Sequence, residues 1–342
     1  MRNTFHQPWI DLDDKTVFIT GGTGSFGRAF AAAVLENFKP RKLIIFSRDE
    51  LKQLEMQQDA AFRGQGCLRF FIGDVRDVDR LEMAMRDVDY VIHAAALKQI
   101  PAAEYNPFEC VRTNIHGAEY IVTAAIRTGV KRVIALSTDK AVSPINLYGA
   151  SKLASDKIFV AANNLSGENG TRFSVVRYGN VLDSRGSVVP LYRRLIREGA
   201  ASLPVTDARM TRFWITLDQG IGFVLGSLEL MRGGEIFVPI IPSMKITDMA
   251  LAMAPGLPHE VIGIRPGEKL HEVLITEDDA RNTLAMEGYY VLSQNDVEGR
   301  LDAHYRSLGG RPVAESFRYS SDGNENWLEP SDFLALIADQ PS

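Results

Sequence analysis

Short apolar runs recur through the first half of the chain, each stopped by glycine, small or charged residues. "TVFIT" (Thr16–Thr20), "RKLIIFS" ending at Ser47, "LRFFIGD", "VDYVIHAAA", "KRVIALST" and "TRFSVVRYG" have the length and the β-branched and aromatic content of buried strands. Between them, "SFGRAFAAAVLENF", "RDELKQLEMQQDAAF", "VRTNIHGAEYIVTAAIRTG" and "YGASKLASDKIFVAANNL" repeat apolar residues at three- and four-residue spacing, as a helix with one buried face requires. Strands alternating with long helices predict an α/β fold with a parallel sheet covered on both faces. Beyond about Asn180 the rhythm breaks: loops lengthen, and Pro, Gly and Arg become frequent. The expected division is residues 1–180, a parallel-sheet domain that includes the "YGASK" helix, and residues 181–342, mostly a smaller lobe with some segments returning to the first domain.

Composition narrows the function classes. The chain has 342 residues, 45% of them hydrophobic and 24% charged, with a net charge of −5. Such an acidic chain is poorly suited to nucleic acid, and no nucleic-acid partner is expected. An anionic ligand would need local positive charge, as in "YRRLIR" (Tyr192–Arg197), "DARMTRF" (Asp207–Phe213) or "GIRPGEK" (Gly263–Lys269). Cys67 and Cys110 have no metal-ligand spacing and read as free thiols in a reducing compartment, with no metal site expected. The stretch "MRNTFHQPWIDLDD" has no signal-like apolar run, and no segment reads as a membrane span, so a cytoplasmic protein without membrane contact is expected.

"TGGTGSFG" joins the first strand to the first helix and supplies Gly21, Thr23, Gly24, Ser25, Phe26 and Gly27. Glycines in this context allow a tight turn and close approach to a pyrophosphate, which then meets the positive end of a helix. The fold class is therefore a Rossmann-like, doubly wound α/β sheet with a smaller C-terminal lobe. An NAD-binding chain usually has an acid at the end of the second strand. Here Ser47 stands there, followed by Arg48 and, one turn later, Lys52, which points to the 2′-phosphate of NADP. The plainer alternative pairs Arg48 with Asp49 or Glu50 at a solvated helix start. Asp74, followed by Val75, either accepts from an adenine amino group or caps the next helix. Ala94, Ala95 and Ala96 let backbone lie near a dinucleotide, His93 reads as a core histidine, and Lys98 lies past the strand end where ligands collect.

"STDKAVSPINLYGASK" (Ser137–Lys152) carries the densest chemistry. Tyr148 and Lys152 are four apart on a helix and share a face. A nearby ammonium is expected to lower the tyrosine pKa and favour phenolate. Asp139 and Lys140 add a second acid and a second amine, which as an isolated pair would read as a solvated loop. With "SRDELKQ", "FIGDVRD", "AAALK", "RYGNVL", "SRGSVVP", "MTRFWIT", "GGEIFVP" and "GIRPGEKLHE", these features resemble the extended short-chain dehydrogenase/reductase family. Within it they look like the UDP-N-acetylglucosamine 4,6-dehydratases of the inverting, pseudaminic acid pathway type.

The resemblance implies a lyase that uses NADP and takes UDP-N-acetylglucosamine. Tyr148 would accept the C4 hydroxyl proton with Thr138 bonding the same oxygen, and Lys152 would hold the nicotinamide ribose. Asp139 would protonate the departing C6 hydroxyl, and Lys140 would take the C5 proton. Lysine is a poor base unless desolvated or set near another cation, and Lys152 and the cofactor are the expected cations. In the second lobe, Asn180, Val188, Arg212, Arg265 and Glu268, with Lys98, are the expected substrate contacts. The resemblance also implies a homo-oligomer, a hexamer. A UDP-sugar 4-epimerase, a C5-retaining dehydratase and a silent NADP-binding scaffold are the alternatives.

Overall fold

The computed structural model describes residues 9–338, except 183, 185, 295 and 297. Residues 1–8, on which part of the N-terminal reading rests, lie outside the described residues. Six parallel strands come first: β1 (Thr16–Thr20), β2 (Lys42–Ser47), β3 (Leu68–Ile72), β4 (Tyr90–His93), β5 (Arg132–Thr138) and β6 (Arg172–Tyr178). Their order across the sheet is β3-β2-β1-β4-β5-β6. The chain leaves β1 toward β2 on one side and returns to β4 on the other, so the connections diverge beyond the carboxyl ends of the paired strands β1 and β4, the usual position of a ligand crevice in such sheets. Every residue of β1 is buried, as expected for a strand covered on both faces.

Helices fill both faces. The first, α1 (Ser25–Asn37), buries Gly27, Phe30, Ala31 and Val34, a helical three-and-four spacing. The helix read from "RDELKQLEMQQDAAF" is shorter than its pattern, Glu50–Gln58, because Asp59 takes an extended backbone. The long helix after "VRTNIH" begins with a π-helical turn, Arg112–His116, continues as Gly117–Thr128, and ends at Gly129 in the left-handed region (φ 72°). Asn146 caps the helix Leu147–Ser166, accepting from the Gly149 amide.

The second half of the chain feeds both units. Ile236–Pro239 adds a parallel strand beside β6, and Tyr289–Leu292, Thr283–Met286 and Arg311–Pro312 extend the same sheet antiparallel. The helix Leu217–Leu230 packs in the main core, while other segments build a smaller lobe around its own apolar cluster, which includes Tyr192, Met210, Trp214, Met244 and Phe333. Its small sheets pair Thr211–Ile215 with Ser243–Lys245 and with Asn180–Val181, and Leu203–Val205 with His259–Val261. Among the described residues no helix is long and apolar enough to cross a membrane, and no cluster of metal-ligating side chains occurs. Cys110 is buried and Cys67 partly so, and neither forms a disulfide.

Candidate active site

The crevice floor is the glycine turn. Gly21 has φ 64°, and a Cβ there would lie 3.1 Å from Ala95. A Cβ on Gly27 would lie 2.5 Å from Gly22 Cα. Gly24 begins α1 without any side-chain cap, so the opening N–H groups of the helix face a cradle that only glycine leaves open. Thr23 is buried and Ser25 and Phe26 form the first turn. This shape and polarity fit a dinucleotide pyrophosphate.

The rim differs in detail from the sequence reading. Ser47 is buried, and its Oγ accepts from Gln53 Nε2 at 3.0 Å, while the same amide donates to Phe71 O at 2.9 Å. Gln53 thus ties β2 to β3. Arg48 pairs with neither Asp49 nor Glu50; its guanidinium sits 3.5 Å from Asp74, and Lys52 pairs with Asp49 at 2.9 Å. Both cations are about half exposed. Asp74 does not cap the next helix, because Asp77 does so by accepting from the Arg80 amide. Asp74 instead accepts from Arg76 at 2.7 Å. Partial burial would raise its pKa, but the Arg76 bonds outweigh it and hold the carboxyl below its usual range. Val75 is buried against Gly117.

The amides of Ala94 and Ala95 both donate to Thr20 Oγ1 at 3.1 Å. That hydroxyl therefore donates its own proton to His93 Nδ1, 2.9 Å away, which places the imidazole proton on Nε2. Ala96 follows in the same loop. His93 is 1% exposed, and burial, then the Lys152 charge, lowers its pKa to about 3. It is a neutral core residue.

The catalytic candidates converge at the end of β5. Thr138, Asp139, Tyr148 and Lys152 are buried. Thr138 Oγ1 donates to Asp139 Oδ1 at 2.8 Å, and Lys140 Nζ donates to the same oxygen at 3.0 Å. The second carboxylate oxygen, Asp139 Oδ2, is buried without a partner. Burial pushes the Tyr148 phenol up to about 12, only partly offset by the Lys140 charge and a Thr138 hydrogen bond. Two expectations are corrected here. Desolvation of the phenol exceeds the neighbouring positive charge, so phenolate is not favoured in the free protein. The cation that acts most on Tyr148 is Lys140, while Lys152 is balanced by Asp156 one turn along its own helix and is held below the usual lysine range chiefly by burial.

Lys140 also departs from expectation. Burial alone would lower its pKa, but Asp139 and then Glu272 raise it above the usual lysine value. The carboxylates outweigh the nearby Arg212 cation: Glu272 Oε1 lies 3.7 Å from Nζ, and the amide oxygen of Asn180 accepts at 3.4 Å. The resting group is an ammonium.

On the second lobe, Arg212 does not present a free fork to a diphosphate. It is 8% exposed, and its terminal nitrogens donate to the carbonyls of Thr211 (2.7 Å), Leu270 (3.1 Å) and Lys269 (3.0 Å), which lie within reach because its strand runs beside that loop. Arg265 is exposed and ion-pairs with Glu268, whose Oε2 is buried without a partner. Val188 begins the helix Val188–Arg197. Lys98 is exposed, and partial enclosure of its ammonium, then the Lys140 charge, lowers its pKa.

The polysaccharide biosynthesis protein family matches this chain over residues 17–294. The chain belongs to that family. It is 57% identical over 330 residues, 95% of this chain and 98% of the relative, to a UDP-N-acetylglucosamine 4,6-dehydratase (inverting) of Campylobacter jejuni subsp. jejuni serotype O:23/36 (strain 81-176). It is 43% identical over 337 residues, 95% of this chain and 96% of the relative, to a UDP-glucose 4-epimerase of Rickettsia akari (strain Hartford). Among solved structures, Pen from Bacillus thuringiensis superposes with a TM-score of 0.87 at 34% identity, covering 97% of this chain and 100% of that one.

In this polysaccharide biosynthesis protein the sequence reading did not assign a role to three residues of the site, although Lys269 closes the "GIRPGEK" stretch read for its charge. Glu272 is 2% exposed and faces Lys140 from the second lobe. Lys269 Nζ donates to Val142 O at 2.5 Å, just past the Asp139–Lys140 turn. Asn146 joins the helix that carries Tyr148 to Gly267. Asn146 had a readable signal of its own, an Asn directly before a helical run.

Proposed function

We propose that this family member dehydrates UDP-N-acetylglucosamine to a UDP-2-acetamido-2,6-dideoxy-L-arabino-hex-4-ulose, inverting C5, as the first step toward a pseudaminic acid-type sugar. The observation that carries this reading is the ion pair of buried Asp139 with partly exposed Lys140, beside Thr138 and Tyr148. A simple alcohol oxidation at C4 needs one proton acceptor, which Tyr148 provides. Loss of water across C5 and C6 needs a further acid and a further base, and this pair supplies both.

The glycine cradle fits a nicotinamide dinucleotide, which when bound would take a hydride from C4 and return it to C6. Arg48 and Lys52 are the cations that would meet a 2′-phosphate, and with Ser47 in place of an acid they support NADP. Their present partners are exposed ion pairs, which contribute little and are easily exchanged.

Tyr148 must first give up its own phenol proton to solvent, since the free protein holds it. The positive charge of a bound oxidised nicotinamide beside Lys152 would favour that loss. The phenolate would then accept the C4 hydroxyl proton while Thr138 bonds the same oxygen. The resting Asp139 carboxylate and Lys140 ammonium share one hydrogen bond of 3.0 Å. Moving that proton from Nζ to Oδ1 turns the pair into a neutral acid and a neutral amine. Asp139 then gives the proton to the C6 hydroxyl, which leaves as water, and Lys140 accepts the C5 proton. The pair ends as it began, carboxylate and ammonium. Inversion requires that C5 regain a proton on the face opposite Lys140. In this reading Arg265 and Glu268 would take the diphosphate and the nucleoside, Asn180, Val188 and Lys98 would meet the sugar, and Lys152 would hold the nicotinamide ribose.

The Rickettsia relative supports a second reading, a 4-epimerase, which would use Tyr148 and leave Asp139 and Lys140 idle. NMR of a reaction with UDP-N-acetylglucosamine separates the two: a 4-keto-6-deoxy product supports dehydration, and a C4 epimer alone rejects it. A cytoplasmic homo-oligomer, a hexamer, completes the reading. Tyr105 and Phe108, 88% and 77% exposed, support a subunit contact, which light scattering tests.

A further inference from the structure

Glu272 arrives from the far end of the chain, yet it lies at the catalytic pair. Its backbone is fixed twice to Ser321: its N–H donates to Ser321 Oγ at 2.9 Å, and its carbonyl accepts from the Ser321 amide at 2.8 Å. Its carboxylate lies between two cations, with Oε1 3.7 Å from Lys140 Nζ and 3.6 Å from Arg212 Nε. Arg212 is itself anchored on the carbonyls of Lys269 and Leu270. Oε2 is buried with no partner. A buried carboxylate held this firmly and left half unsatisfied costs free energy unless its charge has a use.

We propose that Glu272 is a positioning residue for Lys140. It holds the ammonium from the second lobe opposite Asp139, and its charge sets how readily Lys140 releases a proton to Asp139. The inference rests on the dehydratase reading for its consequence in catalysis, but the effect on Lys140 belongs to the protein alone. The groups that face Lys140 are Asp139 on its own turn, Tyr148 on the helix Leu147–Ser166, Asn180, Arg212, Glu272 and, farther out, Lys98 and Lys269. Of these only Asp139 and Glu272 are acids. Asp139 receives the proton, so Glu272 is the acid whose charge opposes the transfer, and Arg212 tempers it.

The test reads Lys140 directly. The side chain is 25% exposed, enough to react with acetic anhydride. Competitive acetylation across pH, followed by mass spectrometry of the Lys140 peptide, reports its protonation in the free protein. Glu272→Gln keeps the size and removes the charge. It should raise Lys140 labelling roughly tenfold at a given pH below the wild-type midpoint, which corresponds to one pKa unit. Glu272→Asp withdraws the charge by one methylene and should give a smaller change in the same direction, which keeps the test open if the Gln variant fails to fold. With UDP-N-acetylglucosamine, the acid limb of kcat should move to lower pH in the Gln variant. Labelling profiles unchanged in both variants would overturn the proposal. Wild-type protein that labels as expected but forms no dehydrated product would instead reject the dehydratase reading.

Discussion

The side-chain amide of Asn146 donates to the carbonyl of Gly267 at 2.7 Å. The same side chain caps the helix of Tyr148 and Lys152 through its oxygen, 2.7 Å from the Gly149 amide. One residue thus fixes both the start of the catalytic helix and the Arg265–Glu268 turn of the other lobe. Gly267 (φ 80°) is pressed close, and a Cβ there would lie 3.0 Å from Asn146 Cβ. Asn146→Ala should cost about 0.5–2 kcal/mol of stability through the lost cap. It should also raise KM for the nucleotide sugar more than it lowers kcat. Denaturant titration and steady-state kinetics check both, and an unchanged KM would remove that turn from the substrate site.

Tyr148→Phe keeps the buried ring and removes the hydroxyl. Turnover should fall roughly 10²–10⁴-fold, the contribution of a positioned proton acceptor, while dinucleotide affinity stays near wild type. Isothermal titration beside the activity assay separates the two. Near-normal turnover would assign the C4 proton to another group.

Arg48→Ala tests cofactor choice. A charge-assisted contact with a 2′-phosphate is worth about 1.5–3 kcal/mol, so NADP affinity should fall while NAD affinity changes little. The released partner is Asp74, which keeps its bonds to Arg76. Equal losses for both cofactors would contradict the NADP assignment.

His93 makes stability depend on pH. Its folded pKa of about 3 lies below the ordinary 6.5. Between those values the unfolded chain takes up a proton that the folded protein does not. Stability from this site is therefore complete above pH 6.5 and lost as pH falls toward 3, on the order of 3 kcal/mol by about pH 4. His93→Phe leaves the Thr20 hydroxyl without its acceptor and should be less stable at pH 7. Its further loss below pH 6.5 should be shallower than wild type, read by urea unfolding at a series of pH values. Parallel pH profiles would mean His93 does not stay neutral.

What could be read from the sequence follows from how locally each feature is encoded. β1, β2 and β4 are almost wholly buried, so each is a short apolar run, and even the edge strand β3 keeps a mainly apolar sequence. Thr138, Asp139, Lys140, Tyr148 and Lys152 lie within one stretch, and the fold brings together what the chain already lists side by side. The antiparallel strands Thr283–Met286 and Tyr289–Leu292 were visible only as a general return, because their pairing with Ile236–Pro239 is decided by distant residues. Arg212 was misread because an arginine bound to carbonyls and one awaiting a phosphate look alike in sequence. Glu272 was missed for the same reason: its partners, Lys140 and Arg212, come from other parts of the chain.

The central claim is that Asp139 and Lys140 carry out an elimination that Tyr148 alone cannot. Lys140→Met keeps length and bulk but cannot accept a proton. The direct measurement is reaction with UDP-N-acetylglucosamine in D2O, followed by NMR and by the absorbance of reduced nicotinamide. Wild-type protein should give a 4-keto-6-deoxy sugar of L-arabino configuration with deuterium at C5. The Lys140→Met protein should accumulate bound reduced cofactor, since Tyr148, Thr138 and Lys152 remain, yet release no dehydrated sugar. Normal dehydration by that variant, or product with its original C5 hydrogen, would contradict the account.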